Sequence, residues 1–223
     1  MIVICTHKNP QILRRLLTSI RKFSVEDHKI LVVETSDSEE SKSVAEEFKC
    51  YFFNSTVRLW EIGAYIVGLQ RFKDEDEYFM FQDSLEIVAF DWEKMFRIPS
   101  CGHKVVALKK IELWNDPGQH QYLLDVGIGN GYYTFNSLFD DNWDQYGYGC
   151  MYTVNYMPNS AAKQFLDYGI EKLFCYNKFE AIESERIWGL VACKTCGYAS
   201  TEEYTGSFLG YLNYIIKHYE KRQ

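Results

Sequence analysis

Three short apolar runs in the first half of the chain stop at polar side chains. Ile2 to Cys5 is followed by Thr6 and His7, Lys29 to Val33 by Glu34 and then Asp37, and Glu77 to Phe81 by Gln82, Asp83 and Ser84. Runs of this length, rich in β-branched and aromatic residues, read as buried strands. Carboxylates, hydroxyls and an imidazole just beyond such strands are hydrogen-bonding groups and hard oxygen or nitrogen donors, the equipment of a binding site for a polar ligand or a cation. The alternative for Asp83 is that it caps the next turn. Two further acids, Glu183 and Glu185, open the stretch ESERIWGLVACKTCGY. Acids there are also expected simply because a helix N-terminus favours negative charge.

The elements that must carry these residues follow from local patterns. Asn9 is a natural N-cap ahead of Pro10, and Leu13, Leu16, Leu17 and Ile20 recur on one helical face. The TSDSEES loop leads into a short helix through Val44, Ala45 and Phe48. Tyr51 to Phe53 reads as a third strand, and Ile62, Tyr65, Ile66 and Leu69 mark another helix. Alternating strands and helices joined by short loops predict a parallel α/β sheet, which binds ligands beyond the carboxyl ends of its strands. Thr6, His7, Glu34, Asp37, Asp83 and Ser84 then converge by topology although they are distant in sequence. Further on, Val105 to Leu108 and Cys150 to Tyr156 read as strands, and Ser160 to Tyr168 and Glu183 to Lys194 as helices, the latter stopping at Gly197. Leu113 to Gly149 is loop-rich, and Phe208, Leu212, Ile215, Ile216 and Tyr219 suggest the inner face of a terminal helix.

Composition narrows the class. The chain has 223 residues, of which 47% are hydrophobic and 17% aromatic, and a net charge of −7. That length favours one domain, 1–223, and the acidic balance excludes a basic nucleic-acid face. No stretch reads as a signal peptide or a membrane span, and the 7 scattered cysteines fit reduced thiols, so a cytoplasmic location is expected. Cys193 and Cys196 have no second pair to complete a zinc site and read as packing residues. Of the histidines only His7 has a functional position; His28, His103, His120 and His218 are expected at the surface.

The stretch WEIGAYIVGLQRFKDEDEYFMFQDSLE, from Trp60 to Glu86, resembles the nucleotide-sugar half of a GT-A glycosyltransferase, with its Gly63-Ala64 helix start ahead of an acidic strand end. It is similar to capsule- and rhamnan-synthesis enzymes that carry an N-D-S in place of a D-x-D. ICTHKNP and VVETSDS stand where that family has its first strand and its acidic nucleotide-binding loop, so the resemblance covers residues 1–96 and, more loosely, 145–200. It implies a mainly parallel, Rossmann-like mixed sheet flanked by helices, with a nucleotide-sugar half (1–96) and an acceptor half (97–223). Thr6 and His7 would flank the base, Glu34 would contact base or ribose with Asp37 nearby, and Gly63, Asp83 and Ser84 would complete the donor site. Asp83 would be the first acid of the metal–diphosphate motif, binding Mn²⁺ or Mg²⁺. Leu85 stands where the family has its main metal ligand, and Glu86, the remaining acid, is set by strand alternation on the side of Ser84. Glu185, with Glu183 as the alternate, would be the base that deprotonates the acceptor hydroxyl in an inverting transfer, and Arg186 replaces the family's second acid. The implied partners are a nucleotide-sugar donor and a glycan or other hydroxyl acceptor.

Two other readings stand beside this one. Leu85 and Arg186 in place of family acids would suit a degenerate, non-catalytic nucleotide-sugar binder. LLDVGIGNGYYT, from Leu123 to Thr134, resembles the glycine motif of an S-adenosylmethionine-dependent methyltransferase. Too little chain follows it, however, and no acid-ended strand appears where the ribose contact is expected. In the glycosyltransferase reading Asn130, Tyr132 and Tyr133 face the acceptor sugar instead.

Overall fold

The computed structural model describes residues 1–55, 59–112, 148–173, 175, 177–201 and 216–218; the side chains of 109–112, 148–153, 179, 182, 183 and 216–218 are outside that description, as is the whole of the glycine-rich stretch 123–134. Four parallel strands form the first half of the main sheet: β1 (Ile2–Thr6), β2 (Ile30–Glu34), β3 (Tyr51–Asn54) and β4 (Glu77–Gln82). A short β5 (Leu85–Ile87) follows β4, and β6 (Val105–Glu112), β7 (Tyr148–Pro158) and β8 (Tyr198–Ser200) complete the main sheet. Its order is β3-β2-β1-β4-β7-β6-β8, with β7 antiparallel to both β4 and β6. The sheet is therefore mixed and mainly parallel on the side that carries the strand-end acids.

Helices cover both faces. α1 (Pro10–Phe23), α2 (Glu39–Glu47) and α4 (Lys94–Ser100) pack on the face that presents Ile2, Ile4, Ile30, Val32, Phe79 and Phe81. α3 (Trp60–Arg71), α5 (Asn159–Tyr168) and α6 (Lys178–Thr195) pack on the opposite face, with Val3, Cys5, Val33 and Met80. In α1, Leu13, Leu16, Leu17 and Ile20 are all buried, as their spacing predicts, and the Asn9 side chain accepts from the Ile12 N–H. Phe79 lies at the centre of a ring cluster, with centroids 4.8 Å from Trp92 and 5.0 Å from Tyr156. Tyr51, also expected to pack, is instead exposed on the edge strand.

Three expectations are corrected. Ile216–His218 is not helical: it forms β9, antiparallel to β5, with Leu85 opposite His218 and Ile87 opposite Ile216. The pairing partner lies far away in sequence, where helical periodicity cannot register it. α6 begins at Lys178, not near Glu183, because Asn177 and Glu180 cap it reciprocally: Asn177 Oδ1 accepts from the Glu180 N–H at 3.1 Å, and Asn177 Nδ2 donates to Glu180 Oε1 at 2.7 Å. His28 is buried, its Nε2 lying 3.2 Å from Glu93 Oε1 and its ring against Phe79 and Trp92.

Helix and sheet approach closely at Gly68 of α3, where a Cβ would lie 2.5 Å from Val3 Cγ2 in β1. Gly68→Ala gains about 1 kcal/mol of helix propensity, but overpacking against a buried strand costs about 1–3 kcal/mol. A lower urea midpoint is therefore expected, and an unchanged or higher midpoint would show that α3 is free to shift away from β1.

Candidate active site

Strand register gathers the candidate acids. Thr6 pairs with Glu34 across β1 and β2, Cys5 pairs with Gln82 across β1 and β4, and Asn54 on β3 pairs with Glu34. One step past Gln82 stands Asp83, whose N–H donates to the Cys5 carbonyl at 3.0 Å. Residues in register on adjacent parallel strands share a face. Glu34, Thr6 and Asp83 thus form one row at the carboxyl ends of three strands, continuing the columns Ile30–Val32, Ile2–Ile4 and Phe79–Phe81. The row is buried: Glu34 and Asp83 are 0% exposed and Thr6 1%.

Buried carboxylates need hydrogen-bond donors. Glu34 Oε1 accepts from the backbone N–H of Lys8 (3.2 Å) and of Ser36 (3.1 Å) and from the Ser36 hydroxyl (2.6 Å). Lys8 holds a positive φ of 50°, so Glu34 fixes the tight turn between β1 and α1 in a conformation rare for a non-glycine residue. Glu34 Oε2 is buried with no hydrogen-bond partner among the described residues. The Thr6 hydroxyl donates to Asp83 Oδ2 at 2.8 Å.

His7 Nδ1 lies 3.2 Å from Thr35 Oγ1, and the Thr35 hydroxyl is 3.2 Å from the Thr6 carbonyl. A carbonyl only accepts, so Thr35 donates to it and His7 Nδ1–H donates to Thr35; this assigns the tautomer and leaves His7 Nε2 as an acceptor. Asp37 Oδ1 accepts from Asn54 Nδ2 at 2.9 Å, beside the row. The Ser84 hydroxyl is 3.3 Å from Gln82 Oε1. Gly63 lies in the first turn of α3, where a Cβ would meet Leu59 Cβ at 3.0 Å.

The remaining candidates lie elsewhere. Leu85 is wholly buried in the α1-side core, so the position offers no oxygen. Glu86 is half-buried and lines a cavity of about 400 Å³ on the outer side of α1, with Arg14, Arg15 and Lys22. Glu185 sits well inside α6, beyond the turn on which the helix dipole acts, so the macrodipole does not account for it. The side chain of Glu183 is outside the described residues. Burial pushes the Cys175 thiol up to about 11, helped by the carboxylates of Glu180, Glu61 and Glu185 around it. Glu61 opens α3 at the carboxyl end of the sheet, so Glu185 stands at the same end as Asp83, beside the helices of the other face. Glu61 had only its place in a helix start to recommend it; its neighbourhood with Glu185 depends on the packing of α3 on α6.

One further cluster has the composition of a metal site. Carboxylate and imidazole atoms of Glu26, His28 and Glu77 lie within 4.8 Å of one another. They stand at the amino ends of the strands, and the Arg97 guanidinium donates to Glu26 (2.8 Å to each oxygen) and to Glu77 (2.9 Å), with Tyr156 also donating to Glu77 at 3.0 Å. The arginine already supplies the positive charge.

A mixed sheet of this order with acids at the carboxyl ends of its parallel strands is the GT-A fold of the nucleotide-sugar glycosyltransferases. The chain belongs to glycosyl transferase family 2, whose model matches residues 1–157. Among solved structures it is similar to GalNAc-T7 with UDP, GalNAc and Mn²⁺ (14% identity, 89% of this chain and 41% of that one, TM-score 0.55). It is also similar to the bifunctional glycosyltransferase WbbM (13%, 99% and 45%, TM-score 0.54). A third is the mannosyltransferase PcManGT from Pyrobaculum calidifontis with GDP-Man and Mn²⁺ (8%, 89% and 53%, TM-score 0.53). The chain spans about half the length of these proteins or less. Among curated proteins no match is found. The methyltransferase reading falls with the family match, which runs through the glycine-rich stretch. No helix among the described residues is long and apolar enough to cross a membrane.

Arg97 holds the Glu26 carboxyl below its ordinary 4.5. Arg97→Ala is expected to cost about 2 kcal/mol at neutral pH through lost charge-assisted hydrogen bonds. A carboxyl depressed in the folded state stabilises fully above its unfolded value and loses that stabilisation as pH falls through the folded one. The gap between wild type and variant in urea melts should therefore narrow below about pH 4.5; a gap that widens there would contradict the assignment.

Proposed function

We propose that the chain transfers a sugar from a nucleoside-diphosphate sugar to an acceptor hydroxyl, with inversion. The observation that carries this reading is the buried row Glu34–Thr6–Asp83, in which one carboxylate oxygen of Glu34 has no donor among the described residues. An orphaned buried acceptor is costly, and a ribose hydroxyl or a base N–H supplies the missing donor. His7 Nε2 adds a second acceptor at the rim, with Asp37, Gly63 and Ser84 nearby. The likeness to proteins solved with UDP or GDP-Man supports a nucleotide-sugar donor.

Asp83 presents a hard carboxylate at a strand end, the donor chemistry that Mg²⁺ or Mn²⁺ takes together with substrate phosphate oxygens and water. Leu85 offers nothing and Glu86 lines the cavity at α1 with Arg14, Arg15 and Lys22, so Asp83 alone is the proposed protein ligand. A bound cation would neutralise charge on the departing diphosphate. The protein's own part is to hold the nucleotide on the strand ends and to take the acceptor proton on Glu185, with Glu183 as the alternate base. A single base on the acceptor suits one direct displacement, hence inversion. Residues 1–96 would serve the donor and 97–223 the acceptor, and the reaction would take place in the cytoplasm.

Asp83→Ala is expected to abolish donor hydrolysis and transfer, and Mn²⁺-dependent binding of UDP or GDP by calorimetry, with the far-UV circular dichroism unchanged; full activity would sink the assignment. For Glu185→Gln, kcat should drop by about 10²–10⁴-fold while donor affinity is retained. A loss of donor affinity instead would place Glu185 in the donor site. The observation favouring a binding-only protein is the apolar Leu85, and nucleotide binding without turnover over a panel of UDP-, GDP- and dTDP-sugars would establish it.

A further inference from the structure

We infer that Thr6 is a positioning residue for the Asp83 carboxylate and not a contact to the nucleotide base. The inference rests on the nucleotide-sugar reading and assigns Thr6 a different task within it. A threonine hydroxyl has one proton, and the Thr6 hydroxyl lies 2.8 Å from Asp83 Oδ2, an acceptor, in an environment where Thr6 is 1% exposed. Its carbonyl is committed too, accepting the Thr35 N–H at 3.0 Å and the Thr35 hydroxyl at 3.2 Å. The hydroxyl proton of Thr6 is thus committed within the protein and its side chain is buried, whereas its neighbour His7 is the residue that reaches the rim.

The bond is built into the fold. Thr6 closes β1, Asp83 follows β4, and the Asp83 N–H bond to the Cys5 carbonyl locks the two strand ends together one residue away. A β-branched side chain on an extended backbone has few rotamers, so the hydroxyl is aimed before any ligand arrives. A donor on one carboxylate oxygen fixes the plane of the carboxylate and spares a cation the entropy of orienting it. This is the service that hydrogen-bonding partners behind a metal ligand perform, and losing one costs about 10–100-fold in metal affinity.

The test is calorimetric titration of UDP and of GDP into wild type, Thr6→Val, Thr6→Ser and Thr6→Cys, each with MnCl₂ and with EDTA. With Mn²⁺, Thr6→Val should weaken binding by about 10–100-fold, Thr6→Ser by no more than about 3-fold, and Thr6→Cys, a weak donor of similar size, by an intermediate factor. In EDTA the variants should all match wild type. A merely structural role for Thr6 would weaken binding equally with and without metal, and that outcome overturns the inference. So does Thr6→Val, or Thr6→Cys should the valine variant not fold, with wild-type affinity in Mn²⁺. A wild type that shows no Mn²⁺-dependent nucleotide binding removes the underlying reading, and this inference with it.

Discussion

Two carboxylates are buried at the ends of the parallel strands on either side of β1, and much of the surrounding structure is arranged to satisfy them. Glu34 and Asp83 flank Thr6 in one row, with no exposure to solvent. Glu34 is satisfied on one oxygen by the β1–α1 turn and by Ser36, which obliges Lys8 to adopt a left-handed backbone and sets where α1 begins. Asp83 takes the only proton of the Thr6 hydroxyl. The Lys8–Glu34 and Thr6–Asp83 contacts join segments far apart in sequence, so the register of the parallel strands is the condition for the site to exist. A slip of one residue in β4 would send Asp83 to the other face of the sheet.

The two faces divide the labour. The strand-end row continues columns of isoleucine, valine and phenylalanine on the α1 side, whereas Glu185 and Glu61 belong to helices packed on the other side. Both groups lie toward the carboxyl edge, where the segments that follow the parallel strands bring residues distant in sequence to one end of the sheet. This is the general property of open α/β sheets, and it explains why the acids gather there. At the amino edge the charges are instead consumed internally, by Arg97 with Glu26 and Glu77 and by His28 with Glu93.

What could be read directly was local. The face of α1, the Asn9 cap, the strand ends at Thr6, Glu34 and Gln82, and the α/β alternation all follow from periodicity within a few residues. What escaped depends on partners distant in the chain. His28 reads as a surface histidine until Glu93 and Trp92 close over it. The start of α6 is the exception, set by the local Asn177–Glu180 pair that the later glutamates mask in the sequence. Thr6 reads as a ligand contact because its strand-end position is visible and its bond to Asp83 is not. Leu85, by contrast, departed from the expected pattern on sight, and its complete burial accounts for the departure as core packing.

The small β5–β9 ribbon ties the two ends of the chain's history together. β5 starts two residues after Asp83, yet its antiparallel partner is Ile216–His218. That partner is synthesised long after the first four strands and their helices, so β5 waits with an open edge until it appears. Pairing across such a sequence separation is slow to form, and the edge left waiting is the kind that adheres to other chains. The first four strands are thus a local fold beside a ribbon that only a remote segment completes.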